Sequence, residues 1–360
     1  MTKRHYIIPI FVPHEGCPHD CAFCNQGRIT GEETKLIVGP KYKLENNVDR
    51  KFVLNTVEEY LETIDRKNST VELSFFGGTF TAININKQRE LLAVAKEYKA
   101  NGTIDYIRLS TRPDYINKEI LDHLKSYDVD IIELGVQSLD AEVLEKSRRG
   151  HSEEDVLKAS KLINDYGFTL GHQIMLGLPG DNREKDILTA KKSIAMNPKL
   201  CRIYPALTIK DTPMEYMYNN GTYIPYDLEE CVEIAEEVYV LYKEANVNII
   251  RIGLQPTDNI AEGEDVIAGP FHPAFRELVE SSLLNKNIYK VINENSLKGP
   301  IVINIHNNIV SKLYADKKKY FNKLKDKLKD TDLSVEIRTD KNSIREIYLI
   351  NNDKKFSIEL

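Results

Sequence analysis

The feature that most constrains this chain is an alternation, repeated over its first two-thirds, between short β-rich apolar runs and segments of helical period. The β-rich runs occupy residues 6–12, 71–76, 106–110, 131–136, 168–176 and 200–206. Between them, Val53, Val57, Tyr60, Leu61 and Ile64 share one helical face, Leu91, Leu92, Ala95 and Tyr98 a second, and Val156, Ala159, Leu162 and Ile163 a third. Strands separated by helices pair in parallel through crossover connections. Six such units predict an α/β fold, a partial (β/α)6 TIM-like barrel. The polar motifs fall just after the strands, on the face where such barrels carry their chemistry.

Local signals agree. Ser152 followed by Asp155 reads as a capping box, and Asn117 and Asp140 read as N-caps. The polar stretch 24–43 is long for a connection inside a compact domain, which marks it as functional or mobile. After residue 283 the pattern changes to short strands, IVINIH, SVEIRT, EIYLIN and KFSIEL, around an amphipathic helix over 312–329 with Leu313, Tyr320, Leu324 and Leu328 inward. The expected division is a barrel domain over 1–282 and a small α+β C-terminal domain over 283–360.

Charge is uneven. The net charge is −6, yet residues 281–360 hold 16 Lys/Arg against 10 Asp/Glu. A lysine-rich helix is first of all a solvated face; the asymmetry also fits a nucleic-acid contact at that end. No apolar run approaches the roughly 18 residues of a membrane helix. The start, MTKRHYIIPIFVP, lacks a small-residue cleavage site, so a cytoplasmic location without membrane attachment is expected.

Of five cysteines, Cys17, Cys21 and Cys24 lie within eight positions, whereas Cys201 and Cys231 stand apart and read as buried apolar residues. A clustered odd set is metal-binding or catalytic rather than a disulfide framework. Thiolates hold iron–sulfur clusters, and three ligands for a four-iron cube leave one iron open for a small molecule. Phe23, just before the last cysteine, can cover the cluster. Three thiolates with His14 or His19 also satisfy a tetrahedral zinc site.

The spacing Cys17-x3-Cys21-x2-Cys24 after a first strand resembles the radical S-adenosylmethionine (SAM) superfamily. That resemblance implies a [4Fe–4S] cluster on the three cysteines, SAM chelated at the open iron, and reductive cleavage to a 5′-deoxyadenosyl radical that takes hydrogen from substrate. It implies SAM contacts at Gly77-Gly78-Thr79, after the second strand, and at Ser110, Gln137 and Gln173. It also places Arg149 on SAM's carboxylate, a task suited to a guanidinium. The strings GGTF, STRPDY, ELGVQS, RRGH, LGLPGD and RIYPALTIKDT, spread over residues 5–255, are similar to the radical SAM domain of the Elongator catalytic subunit, which modifies the wobble uridine of tRNA. Nothing after residue 283 resembles its acetyltransferase domain, so the likeness is to a branch lacking it. The fold also resembles oxygen-independent coproporphyrinogen oxidase.

On the substrate side, Tyr204 after the sixth strand, Lys210, and Arg251 after a seventh strand-like run are the candidate catalytic residues, with Arg202, Gln255 and His272 beside them as further candidates. RNA, tRNA above all, is the leading substrate class, met through the basic C-terminal domain, with a reducing donor such as flavodoxin or ferredoxin. A small metabolite or a tetrapyrrole is the alternative. A non-catalytic zinc or RNA-binding module would leave the Gly77-Gly78 and Gln137 placements unexplained.

Overall fold

A computed structural model of the 360-residue chain describes residues 4–12, 17, 19–25, 37–38, 42–43, 48–254, 265–329, 331–340 and 344–359. Seven strands, β1 (Arg4–Phe11), β2 (Ser69–Phe76), β3 (Tyr106–Thr111), β4 (Ile131–Gln137), β5 (Thr169–Leu176), β6 (Leu200–Pro205) and β7 (Asn248–Ile252), form one all-parallel sheet in that spatial order. The sheet curls into a half-barrel, one strand wider than the six-unit barrel expected from the sequence. The extra strand, β7, is the short NIIRI run, strand-like in the sequence but not counted there among the six units.

Crossover helices cover the outer face. They are α1 (Arg50–Leu61), α2 (Ile85–Ala100), α3 (Lys118–Ser126), α5 (Glu153–Asp165), α6 (Arg183–Ala195) and α8 (Leu228–Glu244), whereas the short α4 (Ala141–Lys146) and α7 (Pro213–Asn219) lie beside the cysteine segment. Val71, Leu73 and Phe75 of β2 join Val53, Val57, Leu91 and Leu92 in the main core, as do Leu109, Leu134 and Ile174 from the neighbouring strands. A parallel sheet buried on both faces normally reads as a continuous apolar run. Here the inner face is polar. The alternation of side chains along a strand puts Glu72, Ser74 and Phe76 on that face, with Arg108, Glu133 and Arg202 beside them.

These inner charges form a connected row. Arg108 Nε sits 2.6 Å from Glu72 Oε1 and its Nη2 donates to Glu72 Oε2 at 2.8 Å. Its other terminal nitrogen bonds Glu133. Glu133 then accepts from Arg202 Nε at 2.8 Å, crossing over β5, where Gly171 would place a Cβ 2.9 Å from Glu133 Cγ. Burial alone would raise the Glu72 carboxyl; hydrogen bonds from His5, the charge and hydrogen bonds of Arg108, and Ser74 outweigh it and hold the group down to about 2.

The capping signals hold. Ser152 and Asp155 form a reciprocal capping box, Asn117 accepts from Ile120 N at 2.9 Å, and Asp140 accepts from Val143 N at 3.1 Å. Cys201 and Cys231 are fully buried in the main core. Of the stretch 24–43, the described residues beyond Asn25 are a pairing of Ile37–Val38 with Tyr42–Lys43; the rest lies outside the described residues.

The C-terminal part is α+β. α9 (Phe275–Glu294) leads to β8 (Ile301–His306), α10 (Val310–Lys327), β9 (Leu333–Arg338), β10 (Ile347–Asn351) and β11 (Lys354–Ile358), with sheet order β9-β8-β10-β11. α9 crosses the expected boundary at residues 282 and 283 without a break. Its Leu278 and Val279 belong to the barrel core, and its Leu284, Ile288 and Ile292 to a second core with Ile303, Leu313, Leu324 and Leu349.

The lysine helix departs from expectation in one respect. α10 is interrupted over Tyr314–Lys318, where Asp316, Lys317 and Lys318 take left-handed backbone angles. The break has partners: the freed carbonyl of Leu313 accepts from Asn285 Nδ2 at 3.2 Å and from Ser281 Oγ at 3.4 Å, and Tyr314 meets Phe321 edge-on at 5.0 Å. Several lysines turn toward acidic residues of preceding helices rather than outward. Lys286 pairs with Glu236 at 2.5 Å, Lys312 with Glu280 at 2.9 Å, and Lys319 and Lys323 both with Glu229. Part of the charge asymmetry is therefore spent joining the two cores. Lys317, Lys318, Lys325, Lys327, Lys329, Lys354 and Lys355 remain exposed. Among the described residues no helix is long and apolar enough to cross a membrane.

His172 on β5 is locked between Ser160 Oγ, 3.0 Å away, and Ser193 Oγ, 2.7 Å away, and burial lowers it to about 3 from 6.5. A depressed histidine stabilises the fold while it is neutral in both states. That contribution is lost as pH falls from about 6.5 toward 3, because the unfolded chain takes up the proton first. The stability advantage of the wild type over His172→Asn should therefore be largest at neutral pH and shrink on acidification, as read by thermal melts from pH 7 to 4; a pH-independent difference would contradict it.

Candidate active site

The C-terminal ends of the strands carry the site. β1 ends at Phe11, and the short described cysteine segment after it is strapped down at several points. Ala22 N donates to Ser147 O at 2.9 Å, and Ala22 O accepts from Met214 N at 2.9 Å, at the start of α7. Cys24 N bonds Cys21 O at 3.0 Å, folding the last two cysteines into a turn. Asn25 Nδ2 reaches the carbonyls of Lys210 and Asp211 at 3.1 and 3.3 Å. Ala22 and Phe23 pack with Val143, Met175, Leu178, Met214 and Tyr204 in a separate apolar cluster beneath the loop.

The three thiols have different surroundings. Cys21 is buried and takes Arg149 Nη1 at 3.2 Å and Arg112 Nη1 at 3.9 Å. Cys17 is partly exposed and takes the Thr79 hydroxyl at 3.8 Å. Cys24 is pushed up to about 12, first by burial and then by the charges of Cys21 and Cys17. Metal binding must displace such a proton, as it does at any thiol ligand. His19, the histidine of the zinc alternative, pairs instead with Asp114 at 3.6 Å, and its ring sits where a Cβ on Gly150 would come within 2.3 Å. His14 lies outside the described residues.

Gly77 follows β2 with φ +115°, and a Cβ there would meet the carbonyl oxygen of Val12 at 2.3 Å. Only glycine fits a backbone pressed this close to the end of β1. Gly78 continues the bend, and Thr79 follows, buried, with its hydroxyl on Cys17. Ser110 is half-buried near the end of β3 and pairs in register with Glu133.

β4 ends in a register shift between Gly135 and Gln137, and Gln137 adopts φ +67°. Its side chain is buried, and its Oε1 has no hydrogen-bond partner. Arg149 is also buried. Its Nη2 donates to Gly135 O at 2.6 Å, its guanidinium lies 5.9 Å over the Phe23 ring, and its Nε has no partner. Burial works against the charge on Arg149, and the Cys21 sulfur is the leading group that compensates it. A strained buried amide and an incompletely satisfied buried guanidinium, side by side at the cysteine loop, carry hydrogen-bonding capacity for a polar ligand. The residues present thus fit a cluster-bound SAM.

Gln173 is half-buried on β5, and the register aligns Gly135, Gln173, Arg202 and Arg251 across four strands. Tyr204 sits two residues on, within 3.5 Å of Arg202 Nη1, and packs in the cluster beneath Phe23. Arg251 lies inside β7 rather than after it. Lys210 is exposed beyond a small ribbon pairing Thr208–Ile209 with Val266–Ala268, and its carbonyl, rather than its amine, ties it to the cysteine segment. His272 lies just before α9, its Nδ1 accepting from Ala274 N at 3.1 Å. Gln255 lies outside the described residues. The sequence marks Arg112 only as part of the Ser110–Asp114 motif at the end of the third strand, without its contact to Cys21, and it does not mark Gly135 as part of the site. The Arg-x-Asp pattern of Arg112 and Asp114 on a short turn was the available signal for the first.

The comparisons with known proteins agree with this geometry. The model of the Radical SAM superfamily matches residues 11–191, just over half of the chain, and that of the Radical_SAM C-terminal domain matches 198–285. A Methanocaldococcus jannaschii protein named tRNA uridine(34) acetyltransferase is 29% identical over 259 residues, covering 63% of this chain and 47% of that protein. Human Elongator complex protein 3 is 24% identical over 265 residues, covering 64% of this chain and 48% of its own length. The chain thus spans about half the length of these curated relatives. The solved structure of archaeal Methanocaldococcus infernus Elp3 with an N-terminal deletion superposes with a TM-score of 0.57 at 21% identity, over 83% of this chain and 65% of that one, which supports the fold.

Gly77→Ala should destabilise the chain by about 2 kcal/mol or more, because β1 and β2 must part at the site to admit the methyl group. Urea melts of the apoprotein check it, and an unchanged midpoint would show that the close approach to Val12 is not maintained in solution. The cysteine triad, the glycine cradle and the family match together place this chain in the radical SAM superfamily, whose members use a [4Fe–4S] cluster and SAM.

Proposed function

We propose that this chain is a radical SAM enzyme that modifies RNA, with tRNA as its substrate. The observation that carries the reaction class is the convergence of Cys17, Cys21, Cys24, Gly77, Gln137 and Arg149 at the strand ends. The substrate reading is supported by the similarity to tRNA uridine(34) acetyltransferases and to Elongator complex protein 3 over the barrel portion, and by the exposed lysines of the C-terminal part.

Cys17, Cys21 and Cys24 would hold three irons of the cluster and leave the fourth for SAM. That pair, when bound, supplies reductive cleavage of SAM and hydrogen abstraction from substrate. Arg149 offers a buried cation for SAM's carboxylate, and Gln137 Oε1 offers an acceptor with no protein partner. The bare backbone of Gly77-Gly78 receives SAM's amino group, Thr79 steadies Cys17, and Phe23 shields the loop from water. Ser110 and Gln173 line the inner face for the rest of SAM. Tyr204, Lys210 and Arg251, with Arg202, stand on the substrate side. The electron comes from a flavodoxin or ferredoxin in the cytoplasm.

Anaerobic reconstitution should load about four irons per chain, and replacing Cys17, Cys21 or Cys24 by Ala should abolish 5′-deoxyadenosine formation. Bound zinc in place of iron would defeat the reaction class. For the substrate, mass spectrometry of tRNA nucleosides from a deletion strain should reveal a lost modification. Filter binding of tRNA should weaken steeply between 50 and roughly 200 mM salt if lysines meet phosphates; tRNA with an unaltered nucleoside profile and no salt-dependent retention would defeat the RNA reading.

A further inference from the structure

Arg112 is 3% exposed and makes contacts in three directions. Its Nε and Nη2 fork onto the two Asp114 carboxylate oxygens at 2.9 and 3.0 Å. The same Nη2 donates to the main-chain carbonyl of Arg149 at 2.6 Å, and Nη1 points at Cys21 Sγ, 3.9 Å away. Asp114 in turn faces His19, between the first two cysteines. One side chain at the end of β3 therefore ties together the cysteine segment, the turn that carries Arg149, and its own strand.

The connection is specific to one ligand. Cys21 faces two guanidinium groups, while Cys17 receives a neutral hydroxyl. The planar guanidinium spreads its donors in a rigid fork, so Arg112 meets both carboxylate oxygens, a carbonyl and a sulfur in fixed directions, a geometry that the point-like ammonium of lysine does not reproduce. The Arg149 carbonyl held by Arg112 belongs to the residue whose own guanidinium reaches Cys21 and Gly135. Shifting that carbonyl would move the Arg149 side chain as well.

From these contacts we infer that Arg112 is a positioning residue of the cluster site: through Asp114 and the Arg149 main chain it fixes Cys21 and aims Arg149, and its positive charge favours the reduced cluster. The second half rests on the reading that the three cysteines hold iron and sulfur; the first half concerns the protein without it.

The full-length chain tests both. In the anaerobic apoprotein, Arg112→Lys keeps the charge but loses the fork. Iodoacetamide labelling of Cys21 should then be about tenfold faster than in the wild type, as expected for loss of roughly one charge-assisted contact. Labelling of Cys201, fully buried on β6, should be unchanged. Unchanged labelling of Cys21, or a parallel rise at Cys201, overturns the positioning role. Asp114→Asn, which leaves Arg112 in place, gives the same readout should the Arg112 variants fold poorly. In the reconstituted protein, Arg112→Gln should shift the cluster's midpoint potential to more negative values at equal iron content, with Arg112→Lys close to the wild type. Equal potentials for Gln and wild type overturn the electrostatic role. A protein that takes up no iron defeats the cluster reading itself and leaves the labelling comparison to decide on Arg112.

Discussion

Glu72, Arg108, Glu133 and Arg202 lie on the inner face of a sheet whose outer face is apolar, and each is held by the next across the strands. Removing one member of such a buried set costs about 3–5 kcal/mol, because its partner is left charged and dry. The row therefore does more than fill space. A slip of one residue in β2, β3, β4 or β6 would turn these charges into the helix-covered core and bring leucines and isoleucines inward. Correct register in turn fixes which residues reach the strand ends: Phe76 and Gly77, Thr111 and Arg112, Gln137, and Tyr204.

Above that row the site is assembled from backbone positions that are costly to hold. Gly77 and Gly150 accept contacts no side chain would allow, and Gln137 keeps a positive φ with a bare oxygen in the interior. The ion-paired charges below give these positions a fixed base. Positive backbone angles at Gly77 and Gln137 and the open hydrogen-bonding atoms of Gln137 and Arg149 lie at the strand ends, above a row of ion-paired charges. Arg149 joins the two regimes, with one nitrogen on the β4 main chain and another on the sulfur of Cys21.

The sequence made the outer architecture plain because it repeats one instruction many times. Leu91, Leu92 and Ala95, or Val156, Ala159 and Ile163, recur at helical spacing and pack where that spacing sends them. The cysteine triad was legible for a different reason: three thiols so close together have few uses. The inner charges were not legible, since Glu72, Arg108 and Glu133 look like ordinary exposed positions of amphipathic strands until the curl of the sheet brings them face to face. β7 was strand-like in the sequence but not counted there among the six units. The break in α10 was hidden because Leu313, Tyr320 and Leu324 keep an inward pattern on both sides of it; what permits the break is Asn285, on another helix. The roles of Arg112 and of the lysine–glutamate pairs depend on contacts between distant segments, which spacing within one segment does not encode.

α9 has a consequence of its own. At about 1.5 Å per residue, its 20 residues make a rod roughly 30 Å long, with its first turns in one core and its last turns in the other. Arg276, near its start, donates to the carbonyl of Ile249 on β7, two residues before Arg251. A rod seated at both ends transmits tilt without a hinge. Weight placed on the far sheet is therefore delivered to the open edge of the half-barrel, beside the arginine that faces its interior.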